Sequence, residues 1–199
     1  MTGASGAGPE VRGELTVASA DDMLALGRRL AAVLRPGDLV VLNGALGAGK
    51  TTLVRGIGDG LGVRGPVTSP TFVIARVHPS LTGGPALVHA DAYRLASPAE
   101  VDDLDLDASL ETSVTVVEWG GGLVEGLAAD RLEVSIALAA PGTRPEAPGA
   151  VPGEAGPDQE PRTVRLEGHG DRWDSRPTWH GLGLDKPPQT GRDHDSGPC

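Results

Sequence analysis

The stretch NGALGAGKTT, residues 43–52, holds the residue types that chemistry on a phosphate requires. Gly44, Gly49, Lys50 and Thr51 fall at the spacing G-x-x-x-x-G-K-T. Glycine lets main-chain N–H groups approach an anion with no Cβ in the way. Leu46, Gly47 and Ala48 then contribute loop amides, and Lys50 a charge able to reach terminal phosphates. The Thr51 hydroxyl is a ligand type for Mg²⁺, and Thr52 continues into a helix whose positive end faces the anion. Lysine occurs only at positions 50 and 186, so a lysine at this point of the motif is unlike the rest of the chain.

A metal-assisted phosphate site also needs a carboxylate at a neighbouring strand end. Glu118 closes the apolar run VTVVE, and Asp91 follows LVHA. Either can hold the metal through water or orient an attacking water; the bland alternative for each is a solvated strand-end acid. A guanine reader of the Asn/Thr-Lys-x-Asp kind needs a second lysine, and Lys186 in LDKPPQ does not fit. Adenine, hence ATP, is the expected base. The five histidines share no metal-ligand spacing, although His89 lies close to Asp91.

These groups need elements to position them. Ser19 caps a helix with Met23, Leu26, Leu30, Ala31 and Leu34 on one face, closed by Pro36-Gly37. DLVVLN reads as a strand buried on both faces, and KTTLVRGIGDGLG as a helix with Leu53, Val54, Ile57 and Leu61 inward. TSPTFVIARVH, ALVHADAYRL and VTVVEW give further strands. Ser97 and Pro98 start a helix, and GGLVEGLAAD reads as a weak one. RLEVSIAL and RTVRLEGHG form a hairpin, and a short strand is expected at 14–17. The acidic run EVDDLDLD reads as a solvated helix face over a few core leucines, with a docking surface as the alternative.

Composition sets limits. The net charge of −10 disfavours a direct grip on DNA or on tRNA backbone. No apolar run approaches membrane-span length, the start carries no secretory pattern, and the single cysteine, Cys199, excludes an intrachain disulfide. A soluble cytoplasmic protein is expected. Proline- and glycine-rich segments mark residues 1–12 as a disordered start, 141–161 as a flexible insertion in the hairpin, and 169–199 as a disordered tail, with local anchors or a partner contact as the alternative for Trp173 and Trp179. The domain proper spans 13–168. Its expected fold is α/β, P-loop NTPase-like: a mostly parallel sheet flanked by helices, with a C-terminal antiparallel hairpin.

GALGAGKTT, SPTF (69–72), HADAYRL (89–95) and VVEW (116–119) occur in that order, and the only Phe and the only Tyr, Phe72 and Tyr93, fall inside them. This set resembles the TsaE (YjeE) family of small bacterial ATPases. The resemblance implies slow ATP hydrolysis with Mg²⁺. It also implies a role in threonylcarbamoyladenosine (t6A) modification of tRNAs reading ANN codons, beside a TsaB–TsaD complex that handles the tRNA. It assigns Lys50 and Thr51 to phosphate and metal, residues 69–72 and 89–94 to switch-like segments, and Asp91 to catalysis. Glu118 takes the Walker-B-like acid position, followed by Trp119. Ala45 and Gly120 depart from the Asp and Pro usual in the family. Two other readings stand beside it. One is a small-molecule kinase, with Arg144 and Arg162 on a lid formed by the excursion. The other is a binding module in which ATP only shapes a docking surface.

Overall fold

A computed structural model describes residues 11–70, 74–102, 107–138, 160–173 and 182. The chain opens with β1 (Val11–Val17), three residues longer at its start than expected, so that Val11 and Arg12 belong to the sheet. Helix α1 (Ala20–Val33) follows, its Ser19 hydroxyl accepting from the Asp22 N–H at 3.2 Å. All five expected inward positions of α1 and its exit, Met23 through Leu34, are buried. Next come β2 (Leu39–Gly44), α2 (Lys50–Leu61), β3 (Ala75–His78) and β4 (Ala86–Asp91). The short helices α3 (Pro98–Asp102) and α4 (Asp107–Leu110) lead to β5 (Ser113–Glu118). The strands β6 (Arg131–Leu138) and β7 (Arg162–His169) complete the set.

One seven-stranded sheet results, in the order β1-β7-β6-β2-β5-β4-β3. β6, β2, β5 and β4 run parallel, β7 pairs antiparallel with β6, and β3 with β4. β1 is antiparallel to β7 and so points the same way as β6. The mostly parallel α/β sheet with its terminal hairpin is therefore present. Parallel strands need cover on both faces. On one face Val40, Leu42, Val114 and Val116 pack against Leu26, Leu53 and Ile57 of α1 and α2. On the other, Leu39, Val41, Val88 and Val117 pack under Val101, Leu110 and Val124. The two long helices approach closely through glycine: a Cβ on Gly27 would overlap the Leu53 carbonyl, and one on Gly56 the Leu24 carbonyl.

Two expectations change. The weak helix at 121–130 is a run of turns: Gly120, Gly121 and Gly122 in succession, the last with φ of 82°, dissolve it. The tail does not begin at 169. His169 ends β7, and Asp171–Trp173 forms a 3-10 turn whose Trp173 is fully buried in the α1–α2 core, where Leu182 joins it. An indole with that much apolar surface gains more by packing than the short polar segment loses in chain entropy. The rest of the expected tail and start, and the insertion apart from Glu160 and Pro161, lie outside the described residues.

Candidate nucleotide site

The expected chemical residues meet where the parallel strands end. β2 delivers Gly44 into the loop, and a Cβ there would overlap the Ile136 carbonyl of β6, so only glycine lets the chain leave at that angle. Gly47 and Gly49 also have positive φ, 78° and 106°. Gly49 is the N-cap of α2 and gives it no side-chain cap, and no acid sits in its first turn. The amides of that turn face the loop with their positive end uncompensated, which is how a helix receives an anion. Leu46 is 93% exposed at the loop tip, while Ala48 is buried beneath it and Thr52 half-buried in the first turn. Ala45 is exposed and contributes its carbonyl, which accepts from Lys50.

Lys50 is buried and folds back over the loop. Its ammonium donates to the Gly44 carbonyl at 2.7 Å and the Ala45 carbonyl at 2.9 Å, and lies 3.7 Å from the centre of the Trp119 ring. Burial pulls its pKa below 10.5, opposed by the negative charges of Glu118 and Asp91. The Thr51 hydroxyl donates to Glu118, 2.9 Å from Oε1 and 3.2 Å from Oε2. That bond uses its hydrogen and leaves its oxygen lone pairs for a metal. Glu118 is buried at the end of β5 and also meets His89 Nε2 at 2.9 Å.

Asp91 ends the adjacent strand, level with Glu118. It does not touch Thr51. Its carboxylate instead accepts from the Ser69 hydroxyl at 3.3 Å and the Tyr93 N–H at 3.0 Å, tying together the two segments that follow β4 and precede β3. Tyr93 is exposed and stacks on Trp119, ring centres 5.1 Å apart at 59°. Trp119 and Ile74 are the described non-glycine residues with positive φ, 61° and 63°. Such a conformation costs about 1–3 kcal/mol and collects at functional sites. Here it turns the indole over Lys50, while the Trp119 N–H is held by the Leu42 carbonyl. Gly120 fits tightly: a Cβ would lie 2.9 Å from Val124, so the fold accommodates glycine where the family usually has proline.

Lys50, Thr51, Glu118 and Trp119 thus converge, with Asp91 one strand away. Thr71 and Phe72 lie outside the described residues. Arg162, placed by sequence on a lid, is instead the buried first residue of β7, its guanidinium donating to the Glu160 carbonyl. The resemblance put His89 in a switch-like segment without naming a partner for it; that partner, Glu118, is 29 residues away, beyond the reach of local spacing.

A glycine loop between a central parallel strand and an uncapped helix, with Lys-Thr at the helix start and an acid on the next strand, defines the P-loop NTPase-like class. Within that class the chain belongs to the TsaE family: the family model described as "Threonylcarbamoyl adenosine biosynthesis protein TsaE" matches residues 17–144. A Streptomyces coelicolor protein named tRNA threonylcarbamoyladenosine biosynthesis protein TsaE is 59% identical over 152 residues, covering 76% of this chain and 93% of that protein. The Mycobacterium tuberculosis protein of the same name is 50% identical over 131 residues, covering 62% and 78%. The crystal structure of Bacillus subtilis YdiB superposes with a TM-score of 0.65 at 25% identity, covering 88% of this chain and 97% of that one.

Proposed function

We propose that the protein binds ATP with Mg²⁺ and hydrolyses it slowly, as a cytoplasmic accessory factor in t6A formation on tRNAs reading ANN codons. It acts with a TsaB–TsaD complex, and that complex rather than this chain grips the tRNA. The observation that carries the reading is the convergence of Lys50, Thr51 and Glu118 below the uncapped start of α2. The names of the relatives point to the pathway, and the net charge of −10 agrees with an indirect contact to RNA.

The site fits the nucleotide and its metal. The loop amides and the start of α2 are positioned for phosphate oxygens, and Lys50 supplies positive charge once it leaves the Gly44 and Ala45 carbonyls. Thr51 and Glu118 would hold Mg²⁺, which when bound neutralises phosphate charge and fixes the phosphate chain. Asp91 would orient water, and the segments it ties, around Ser69 and Tyr93, would carry the state of the site to a partner.

ATPase assays with and without purified TsaB–TsaD test the proposal. Slow turnover alone and faster turnover with the pair are expected, together with loss of both in Lys50→Ala and Glu118→Ala. Variants as active as wild type would end the scheme. Phosphate transfer to a metabolite would favour a kinase, and ATP-dependent partner binding without turnover a binding module.

A further inference from the structure

His89 has no part in the scheme so far, yet it touches the centre of the site. It lies on β4 in register with Val116 of β5 and Arg76 of β3. Alternation along β4 puts Leu87, His89 and Asp91 on the face that α2 covers, and the imidazole is fully buried there. Nε2 sits 2.9 Å from Glu118 Oε1, whereas Nδ1 has no partner among the described residues. That asymmetry is informative. If the ring only filled space, leucine or phenylalanine would do so without leaving a nitrogen unpaired in the interior, a cost of about 1–3 kcal/mol. The bond at Nε2 is therefore the feature that an imidazole adds.

Glu118 needs that bond. A buried carboxylate must be held by donors, and among the described residues two side chains donate to this one, Thr51 and His89. The Thr51 contact joins the two groups that would hold a metal. A carboxylate anchored only through Thr51 would pivot about its side-chain torsions; the second anchor, from the neighbouring strand, removes that freedom. Partners of this kind, one shell out from a metal, commonly change its affinity about 10–100-fold.

We propose that His89 is a positioning residue. Through its Nε2–H it holds Glu118 facing Thr51, and so sets the affinity of the site for the divalent ion without touching the nucleotide. This rests on the functional reading above.

Magnesium titrations of the ADP complex of the full chain, followed by calorimetry, test it in three proteins: wild type, His89→Phe and His89→Gln. His89→Phe keeps a ring and removes the donor; His89→Gln places an amide donor near Nε2. Expected for His89→Phe are unchanged ADP affinity without metal, a magnesium affinity lowered roughly 10-fold or more, and a fall in kcat with little change in KM. His89→Gln recovers most of the magnesium affinity. Nitrogen-15 spectra of the wild-type protein, which need no variant to fold, are expected to show the His89 proton on Nε2 and a shifted signal on adding Mg–ADP. Wild-type magnesium dependence in a folded His89→Phe, or a proton on Nδ1 alone in wild type, overturns the assignment. Absence of magnesium-dependent uptake in the wild-type protein overturns the functional reading as well, which separates the two failures.

Discussion

The two ends of β2 carry the same three ingredients: a cation, a carboxylate and a tryptophan. At the C-terminal end these are Lys50, Glu118 and Trp119; at the N-terminal end they are Arg172, Asp38 and Trp173. The ring lies 3.7 Å from the ammonium in the first and 4.6 Å from the guanidinium carbon in the second. The second is closed. Arg172 donates to both oxygens of Asp38, at 3.0 and 2.9 Å, and to the Val33 carbonyl at 2.7 Å, so the planar fork is matched to its partners. Asp38 also accepts from the Arg35 N–H. The first is open. Lys50 leans on carbonyls rather than on an acid, Trp119 holds a left-handed backbone, and the loop amides above it have no side-chain cap. A cluster whose bonds are complete adds stability, whereas one left incomplete is ready for something to complete it.

The largest effect is expected at the closed end. Trp173→Ala empties a fully buried site between α1 and the sheet, and loss of about 3–5 kcal/mol is expected. Chemical denaturation checks it, and nucleotide uptake per folded molecule should be unchanged. If the variant is as stable as wild type, the last turn is not part of the fold and the contrast between the two ends fails.

At the open end the loss should fall on function. Glu118→Ala is expected to lower magnesium-dependent turnover at least about 100-fold, the top of the range for a partner one shell out, because Glu118 would hold the ion itself. Stability should fall less than in Trp173→Ala, since what is stranded is chiefly the His89 and Thr51 donors. Steady-state ATPase assays beside denaturation curves separate the two. Equal losses of stability in both variants would erase the distinction.

Lys50 gives the comparison a pH signature with two opposite signs. Burial lowers its folded pKa below 10.5, so above that lowered value the unfolded chain binds more protons than the folded one. Stability contributed by this group therefore rises with pH between the lowered folded value and 10.5. Nucleotide uptake needs the ammonium and should weaken over the same window. Calorimetry across alkaline pH, set against melting curves, checks the crossing; Lys50→Met should abolish both slopes.

Much of the open end was legible because its signals are local. The glycines, Lys50 and Thr51 lie within eight residues, and the apolar runs before Asn43 and Glu118 declare strands by composition alone. Ser19 marked the start of α1 in the same way. The closed end was not legible. Arg172 meets Asp38 across 134 positions, and although the indole marked Trp173 as a candidate anchor, the polar residues around it gave no sign of which core it enters. β1 starts three residues before its expected first residue because Val11, Arg12 and Gly13 are held by β7, a pairing that only the folded sheet creates. The turns after Trp119 look like a helix by their leucines, and only the three glycines in a row argue otherwise. His89 shows the limit most plainly: its place in the sequence was noted, but its role depends on which strand lies beside β4.

The smallest effect tests the rule itself. His78, on β3, is buried and its Nε2 has no partner among the described residues, a feature it shares with His89 Nδ1 at the open end. It pairs in register with Leu87, near the start of β4 and away from Asp91, so by position it belongs with the closed end. Burial lowers its pKa below 6.5, opposed by its hydrogen bond to the Arg64 backbone and assisted by the fields of His89 and Arg76. The folded state thus resists a proton that the unfolded state accepts. The stability due to this group is complete above 6.5 and is lost as pH falls from there toward the lowered folded value. His78→Phe should flatten the difference between melting curves at neutral and mildly acidic pH while leaving magnesium-dependent nucleotide uptake at the wild-type level. If uptake falls in step with stability, position along the strands does not separate the two roles, and an unpaired buried nitrogen would report on the site wherever it lies in the sheet.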